Sequence, residues 1–236
     1  MCTLSYIPVE QGYIFTHNRD ERSDRLSSQN IIGEKVANRK VYFPKDLEAN
    51  GTWIAHSPKF RSACILNGGE KAYKRRASYP KSRGIMVLES FEANSIEDFY
   101  NHYNFKDLEP FTLILKEEAK LSAIVHDEDE TQLKIFNPNQ KQIWSSTKLY
   151  SSEVRKKREE WFEAWLKKNP ELKPENISAF HQSAGDGNKE SDLIMSRWGI
   201  LKTVSISQIV SIKGGEEFNY WDFVGKAQDS IKFKNK

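Results

Sequence analysis

Cysteine and long apolar runs are both scarce in this sequence. Its 236 residues include only 2 cysteines, Cys2 and Cys64, which do not make a disulfide framework and suit a reducing compartment. No stretch approaches the roughly 20 apolar residues that a membrane-spanning helix needs. Charged residues also interrupt the start of the chain before a signal-peptide core is complete. We therefore expect a cytoplasmic protein without a membrane span.

Strong net charge, metal motifs and phosphate loops are lacking as well. The formal net charge is +3, which is too small to indicate a nucleic-acid partner. The 5 histidines show no metal-ligand spacing, and no glycine-rich phosphate loop is present, so we expect no metal and no cofactor. The basic stretch from Lys71 to Arg83 has two interpretations, a solvated face or a lid that attracts anions.

Short strands occur in pairs along the chain. The runs CTLSYIP and GYIFTHN, TWIAH and RSACILN, and KTVSISQIVSI and EFNYWDF predict three hairpins. Three more strands, PFTLILKE, KLSAIVHD and TQLKIFN, predict a meander. The polar stretch from Asp20 to Asn50 is predicted as a loop with one edge strand at KVYFP.

Helices are grouped between these strands. They are predicted at RGIMVLESFEAN, at SIEDFYNHY, from Ser151 to Lys168 and from about Lys189 to Trp198. Antiparallel strand pairs with grouped helices indicate an α+β fold. No linker or repeat divides the chain, so we predict a single domain over residues 1–236.

Cys2, directly after the initiator methionine, also has two interpretations. As a structural residue it is a small buried side chain in the first strand. As a functional residue it becomes the N-terminus once Met1 is removed, because a small second residue permits that removal. One residue then carries a thiol and a free α-amine, with ordinary pKa values of about 8.5 and about 7.7–8.0. The amine can take the thiol proton, which is the N-terminal form of a nucleophile with its own base.

Four segments, in order along the chain, favour the functional interpretation of Cys2. They are MCT with a hairpin ending in NRDE, NGTWIAHSPKFRSACILNGG, KSRGIMVLESF and KTVSISQIVSI. Together they resemble the NRDE family, also called the transport-and-Golgi-organisation type, a branch similar to the N-terminal nucleophile hydrolases. The resemblance implies a four-layer αββα sandwich of mainly antiparallel sheets. It also implies a small-molecule amide or acyl substrate, as in penicillin V acylases and bile salt hydrolases.

The resemblance assigns catalytic roles to four residues. Cys2 corresponds to the nucleophile, Asp20 to the carboxylate that orients its α-amine, and Asn67 to an oxyanion-hole donor. Arg19 corresponds to a group that holds the thiolate or a substrate carboxylate, although in the acylases the arginine precedes the aspartate by three residues.

Local structural alternatives stay open for these polar residues. Asp20 and Arg19 also fit a turn network with Asn18, and Asn67 fits a turn before Gly68. The second asparagine of the acylases falls on Ser146, a shorter donor. We predict Ser146, Asn18 and Gly68 as substrate-binding residues. Arg197 and Lys202 are candidates for a further cation, and Cys64 is expected in the core.

Three functions follow from these observations. The first is a hydrolase with Cys2 as the nucleophile. The second is a non-catalytic carrier or chaperone for haem or an acyl or lipid-type ligand, which the resemblance implies. The presence of Ser146 in place of the second asparagine of the acylases favours this function. The third is an interaction protein that uses the aromatic helix around Trp161 and Trp165, and it leaves MC and NRDE unexplained. Association into a homo-oligomer is left open.

Overall fold

Two antiparallel sheets, one in each of two structural units, account for most of the described chain. A computed structural model describes residues 2–233. The first unit comprises the described parts of residues 1–25 and 139–236, and the second unit comprises residues 26–138. Each sheet has seven strands within the described residues. The predicted α+β class with mainly antiparallel sheets is confirmed.

The first unit contains the chain's N-terminal strand. Its sheet has the strand order β10-β1-β2-β12-β13-β14, and the short β11 pairs with β12. Two helices, α3 and α4, belong to this unit. Its elements are β1 (Cys2–Val9), β2 (Gly12–Arg22), β10 (Gln142–Ser145), α3 (Ser152–Lys168), α4 (Pro174–Ser183), β11 (Ser196–Arg197), β12 (Leu201–Ile212), β13 (Gly215–Asp222) and β14 (Ala227–Phe233).

One face of the first unit's sheet is covered by α3 and α4, and we call it the helix face. Side chains alternate between the two faces of a strand. Alternate apolar residues of β1 and β2, such as Ile7 and Ile14, therefore pack with Phe162 of α3 and Phe180 of α4 in one buried cluster. We call the opposite side the cysteine face, because Cys2 projects from it.

Helix α3 begins and ends where its sequence signals predict. The Ser151 side chain accepts a hydrogen bond from the Val154 amide, which is the usual N-cap interaction, and the helix stops at Lys168, two residues before Pro170. Trp161 and Trp165 pack against the buried cluster of the helix face. Both tryptophans are partly buried, so their packing against this cluster contributes to the core of the first unit.

The second unit has a sheet in simple sequential order, β3-β4-β5-β6-β7-β8-β9. Its helices α1 and α2 are capped by Ser82 and Ser95, whose side chains accept hydrogen bonds from first-turn amides. Its elements are β3 (Ser27–Val36), β4 (Arg39–Asp46), β5 (Ile54–Ser57), β6 (Arg61–Asn67), α1 (Arg83–Glu89), α2 (Ile96–His102), β7 (Phe111–Glu117), β8 (Lys120–His126) and β9 (Thr131–Phe136).

Two sequence predictions of local structure are wrong. The polar stretch after Asp20 is not mainly loop, because it contains the long strand β3 as well as the strand predicted at KVYFP, which is β4. Strand β4 is not an edge strand, since it lies between β3 and β5. Strand β3 lies at the sheet edge with most of its side chains partly or fully exposed, so it lacks an apolar pattern. The segment from Lys189 to Trp198 is not a helix. Leu193 and Met195 are buried in it while Ile194 is exposed, which is an extended, two-residue alternation.

The basic stretch from Lys71 to Arg83 is matched by acidic residues of its own unit. Arg76 lies 3.1 Å from Asp107, and Arg83 lies 3.0 Å from Glu109. Further ion pairs involve Lys71 and Lys81. The stretch is therefore largely neutralised locally, which favours a solvated face over an anion-attracting lid. No helix among residues 2–233 is both long and apolar enough to cross a membrane.

Candidate active site

Cys2 shares one rung of the sheet with Arg19. Cys2 of β1 is the cross-strand partner of Arg19 in β2, and Arg19 is the partner of Ser205 in β12. Because directly opposite residues project from the same face, these side chains lie side by side on the cysteine face. Cys2 and Arg19 are each only 3% exposed. The sheet thus places a guanidinium beside the thiol.

The surroundings of Cys2 act on its thiol in opposite directions. Burial is the largest influence and raises the pKa of the thiol, because a thiolate is poorly solvated in the interior. The negative charge of Asp20 raises this pKa further, whereas the positive charge of Arg19 lowers it. Arg19 is therefore the side chain of this rung that favours the nucleophilic thiolate.

Asp20 projects from the helix face, because it follows Arg19 directly in a strand. Its carboxylate accepts a hydrogen bond from the Tyr150 hydroxyl at 2.6 Å and another from the Thr203 hydroxyl at 2.6 Å. Burial raises the pKa of Asp20, and the charge of Arg158 is the largest of the influences that lower it. Asp20 is a fixed, fully enclosed carboxyl group within electrostatic reach of Cys2.

A β-bulge in β12 lets this strand serve both faces of the site. The register shifts between Thr203, which pairs with Asp20, and Ser205, which pairs with Arg19. Val204 is the extra residue. As a result, Thr203 reaches the carboxylate of Asp20 while Ser205 stays in the rung of Cys2.

Ser146 lies next to the backbone of Cys2. Its amide donates a hydrogen bond to the Cys2 carbonyl oxygen at 2.9 Å, and its own carbonyl oxygen accepts one from the Tyr150 amide at 3.1 Å. Ser146 is 1% exposed. The end of β10 therefore fixes the first residue of β1, and the structure brings Ser146, Cys2 and Arg19 together.

Asn18 is fully engaged on the helix face. Its amide nitrogen donates to the carbonyl oxygens of His181 and Leu193, both at 2.9 Å. Its amide oxygen meets Nδ1 of His181, whose Nε2 lies 2.7 Å from the Ser5 hydroxyl. Burial lowers the pKa of His181 to about 3, so its neutral ring donates from Nδ1 and accepts at Nε2. Asn18 anchors β2 to α4, and its hydrogen bonding gives no support to the predicted substrate contact.

Asn67 and Gly68 belong to the second unit. Asn67 is the last residue of β6 and is partly buried. Gly68 has a φ of 94°, a left-handed conformation that favours glycine. Its amide donates to Pro110 and its carbonyl oxygen accepts from Thr112, both at 2.9 Å. These bonds fix the backbone of Gly68, while its substrate contact and the oxyanion role of Asn67 stay predictions.

The other residues singled out in the sequence have structural positions. Cys64 is fully buried in β6, so its predicted core role is confirmed. Arg197 donates to the backbone carbonyl oxygens of Glu190 and Leu149, at 3.1 and 3.3 Å. Lys202 lies in β12, opposite Glu21. No cluster of three or more metal-ligating side chains occurs in the described part of the chain.

Three residues of the site were missed from the sequence: Tyr150, Thr203 and Arg158. Tyr150 and Thr203 lie far from Asp20 along the chain and carry no motif. Arg158 did carry a signal. It stands four residues from both Val154 and Phe162, on the apolar side of the predicted helix, where a solvated cation is not expected.

Comparison with known proteins places the chain among acylase-like structures. The family model for Transport and Golgi organisation 2 matches residues 1–209, and no curated protein sequence matches. An N-acylethanolamine-hydrolysing acid amidase orthologue of Caenorhabditis elegans superposes with a TM-score of 0.59 at 11% identity, covering 89% of this chain and 92% of its own.

Two bacterial enzymes show the same likeness. Penicillin V acylase of Agrobacterium tumefaciens gives a TM-score of 0.61 at 10% identity, covering 99% of this chain and 86% of its own. A mutant conjugated bile acid hydrolase of Clostridium perfringens gives 0.54 at 10% identity, covering 100% and 97%. At these identities the likeness shows the fold alone. The predicted fold, of the type found in N-terminal nucleophile hydrolases, is confirmed.

Proposed function

Because this chain belongs to the Transport and Golgi organisation 2 family, we propose that it is an N-terminal cysteine hydrolase. Its reaction is the cleavage of a non-peptide amide, or a similar acyl bond, in a small molecule. One observation carries the proposal: Cys2 shares its rung with Arg19, and the amide of Ser146 binds its backbone. The amidase and acylase names of the structural neighbours support the substrate class.

The proposed mechanism starts with removal of Met1. The free α-amine of Cys2 takes the thiol proton, and the thiolate attacks the substrate carbonyl carbon. The C–N bond then breaks, the leaving amine receives the proton from the α-ammonium, and Cys2 holds the acyl group as a thioester. Water attacks the thioester, which releases the acid and restores the thiol.

Arg19 and Asp20 act on different groups of Cys2, the thiol and the α-amine. The positive charge of Arg19 lowers the pKa of the Cys2 thiol and so increases the thiolate fraction. Asp20, held by Tyr150 and Thr203, orients the α-ammonium. Asn67 supplies a donor to the oxyanion, an assignment that rests on the family resemblance. We propose the cytoplasm as the location, where a free thiol stays reduced.

A carrier or chaperone for haem or an acyl or lipid-type ligand is the second candidate function. The observation that favours it is the deep burial of Cys2, which raises the pKa of its thiol and so opposes nucleophilic reactivity. In such a carrier the Cys2 side chain packs as a core residue. Ligand binding would then survive its replacement by alanine.

The first experiment is the intact mass of the purified protein before and after brief alkylation. The expected result is loss of one methionine from all three proteins, with rapid labelling that is absent in Cys2→Ala and retained in Cys64→Ala. Wild type, Cys2→Ala and Cys64→Ala are then assayed on a panel of fluorogenic N-acyl arylamides. Turnover by wild type and Cys64→Ala, but not by Cys2→Ala, supports the hydrolase. A retained methionine with an unreactive Cys2 contradicts it. Binding in a haem titration, unchanged in Cys2→Ala, favours the carrier.

A further inference from the structure

Arg158 is a buried cation on the helix face of the first unit. It lies in α3, where it is 1% exposed, between the apolar positions Val154 and Phe162 of the same helix side. Its guanidinium forms no ion pair with a carboxylate among the described residues. Burying a charge without a counter-ion in contact lowers the stability of the fold. This loss of stability points to a functional reason for Arg158 at this position.

The guanidinium is held in one orientation by neutral acceptors. Its Nε and one terminal nitrogen donate to the Ser191 carbonyl oxygen at 3.1 and 3.0 Å, and that nitrogen also donates to Asp192 at 2.8 Å. The other terminal nitrogen donates to the Thr3 hydroxyl. Thr3 directly follows Cys2, so Arg158 ties α3 to the start of β1.

Arg158 is linked to Asp20 through Tyr150. The guanidinium carbon lies 3.7 Å from the centroid of the Tyr150 ring, a close cation–π contact. The hydroxyl of that same ring donates to Asp20 at 2.6 Å. A cation on the ring face and a carboxylate at the ring's hydroxyl form a short, fully buried chain toward the proposed active site.

We propose that Arg158 is a positioning residue of the active site, which keeps the carboxylate of Asp20 ionised through Tyr150 and fixes the start of β1 through Thr3. The inference rests on the proposed function, since the hydrolase needs an anionic Asp20 to hold the α-ammonium of Cys2. Three charged or titratable groups act on Asp20: Arg158 in α3, Cys2 in β1, and Tyr150, which precedes α3. The Thr203 hydroxyl of β12 also binds Asp20. Arg158 and the two hydroxyl donors oppose the effect of burial.

The test measures the protonation of Asp20 directly and needs no substrate. The protein is produced with aspartate labelled with ¹³C at the carboxyl carbon, and the Asp20 resonance is assigned with Asp20→Asn. Its titration midpoint is then measured by NMR in wild type, Arg158→Gln and Arg158→Lys. Lys157→Gln is the matched control, because Lys157 neighbours Arg158 on α3 but is exposed and pairs with Asp186.

Loss of the Arg158 charge should raise the midpoint of Asp20 by about one to two pH units. Arg158→Lys should restore most of the difference, and Lys157→Gln should change nothing. An unchanged midpoint in folded Arg158→Gln overturns the proposal. If that variant does not fold, Tyr150→Phe decides, because loss of its hydrogen bond should move the midpoint upward and no movement overturns the link.

Activity provides a second readout that separates this inference from the proposed function. In an active protein, Arg158→Gln should move the acid limb of kcat/KM to higher pH, whereas a purely structural residue would lower activity equally at every pH. If wild type turns over none of the arylamides, the hydrolase proposal fails. The NMR midpoints still support or overturn the link between Arg158 and Asp20.

Discussion

Arg19 is the direct cross-strand partner of Cys2, whereas Asp20, one residue further along the strand, projects from the opposite face. This explains how the adjacent pair in this chain relates to the acylase pattern, in which the arginine precedes the aspartate by three residues. Separations of one and three are both odd, and odd separations in a strand place two side chains on opposite faces. Arg19 and Asp20 thus lie on opposite faces of β2, the strand that pairs with the strand of Cys2.

Replacement of Arg19 by methionine should slow the alkylation of Cys2. Arg19 lowers the pKa of the neighbouring thiol, so its loss should raise that pKa. The thiolate fraction, and with it the labelling rate near neutral pH, should then fall roughly several-fold. The measurement is the rate of iodoacetamide labelling followed by intact mass. Arg22→Met, at the exposed end of the same strand, is the control and should keep the wild-type rate. Equal rates for both variants would show that Arg19 does not assist the thiolate.

Asn18→Ala should destabilise the first unit and leave Cys2 reactive. The substitution leaves the carbonyl oxygens of His181 and Leu193 and the Nδ1 donor of His181 without their partner. Buried unsatisfied groups cost 1–3 kcal/mol each, so we expect a loss of about 3–5 kcal/mol in unfolding free energy. Urea unfolding provides the measurement.

The matched control for Asn18 is Asn219→Ala. Asn219 is a partly exposed asparagine of β13, and its replacement should cost less than about 0.5 kcal/mol. A folded Asn18→Ala of wild-type stability with a raised KM would instead support the substrate contact predicted from the sequence.

Most strands that the sequence predicted are largely buried, and the clearest exception is β9, which has no fully buried residue. In β6 and β8 all but one residue is buried, and β12 contains a run of eight buried residues. Such strands carry long apolar or alternating runs. Among the strands that were missed, the two longest, β3 and β14, have mostly exposed or partly exposed side chains. Their register comes from backbone pairing with neighbouring strands, which leaves little hydrophobic pattern to detect.

The candidate site also contains residues that the sequence predicted and residues that it did not. Cys2, Arg19 and Asp20 lie within one hairpin, so a local motif was enough to point to them. The partners of Asp20 are 130 and 183 residues away along the chain. Only the sheet order brings Tyr150 and Thr203 to it, and a single sequence contains no direct record of that order.

Phe162→Ala should strongly destabilise the first unit. Phe162 is 3% exposed within the buried cluster of the helix face, and truncation of such a residue costs about 3–5 kcal/mol. Glu163→Ala, the exposed neighbour on α3, should stay within about 0.5 kcal/mol of wild type in urea unfolding. If both variants lose equally little unfolding free energy, α3 does not support the core. That result would favour the interaction protein that uses Trp161 and Trp165.

Acidification should destabilise the protein through its buried histidines. Burial lowers the pKa values of His56 and His181 to about 3, whereas the unfolded chain binds these protons near pH 6.5. The stabilisation is therefore fully present above pH 6.5 and is lost as the pH falls toward 3. At pH 5 the unfolding free energy should be lower by about 2 kcal/mol for each of these histidines. Asp20, whose pKa is raised, acts in the opposite sense and is unchanged between the variants compared.

The measurement is the difference in unfolding free energy between pH 7 and pH 5, from urea titrations. In His56→Gln this difference should shrink by about 2 kcal/mol, because one buried site no longer takes up a proton on unfolding. His102→Gln is the control, since the His102 side chain is 78% exposed, and it should keep the wild-type difference. If His56→Gln also keeps it, the imidazole of His56 accepts its proton in the folded state, and its burial in β5 does not hold it neutral.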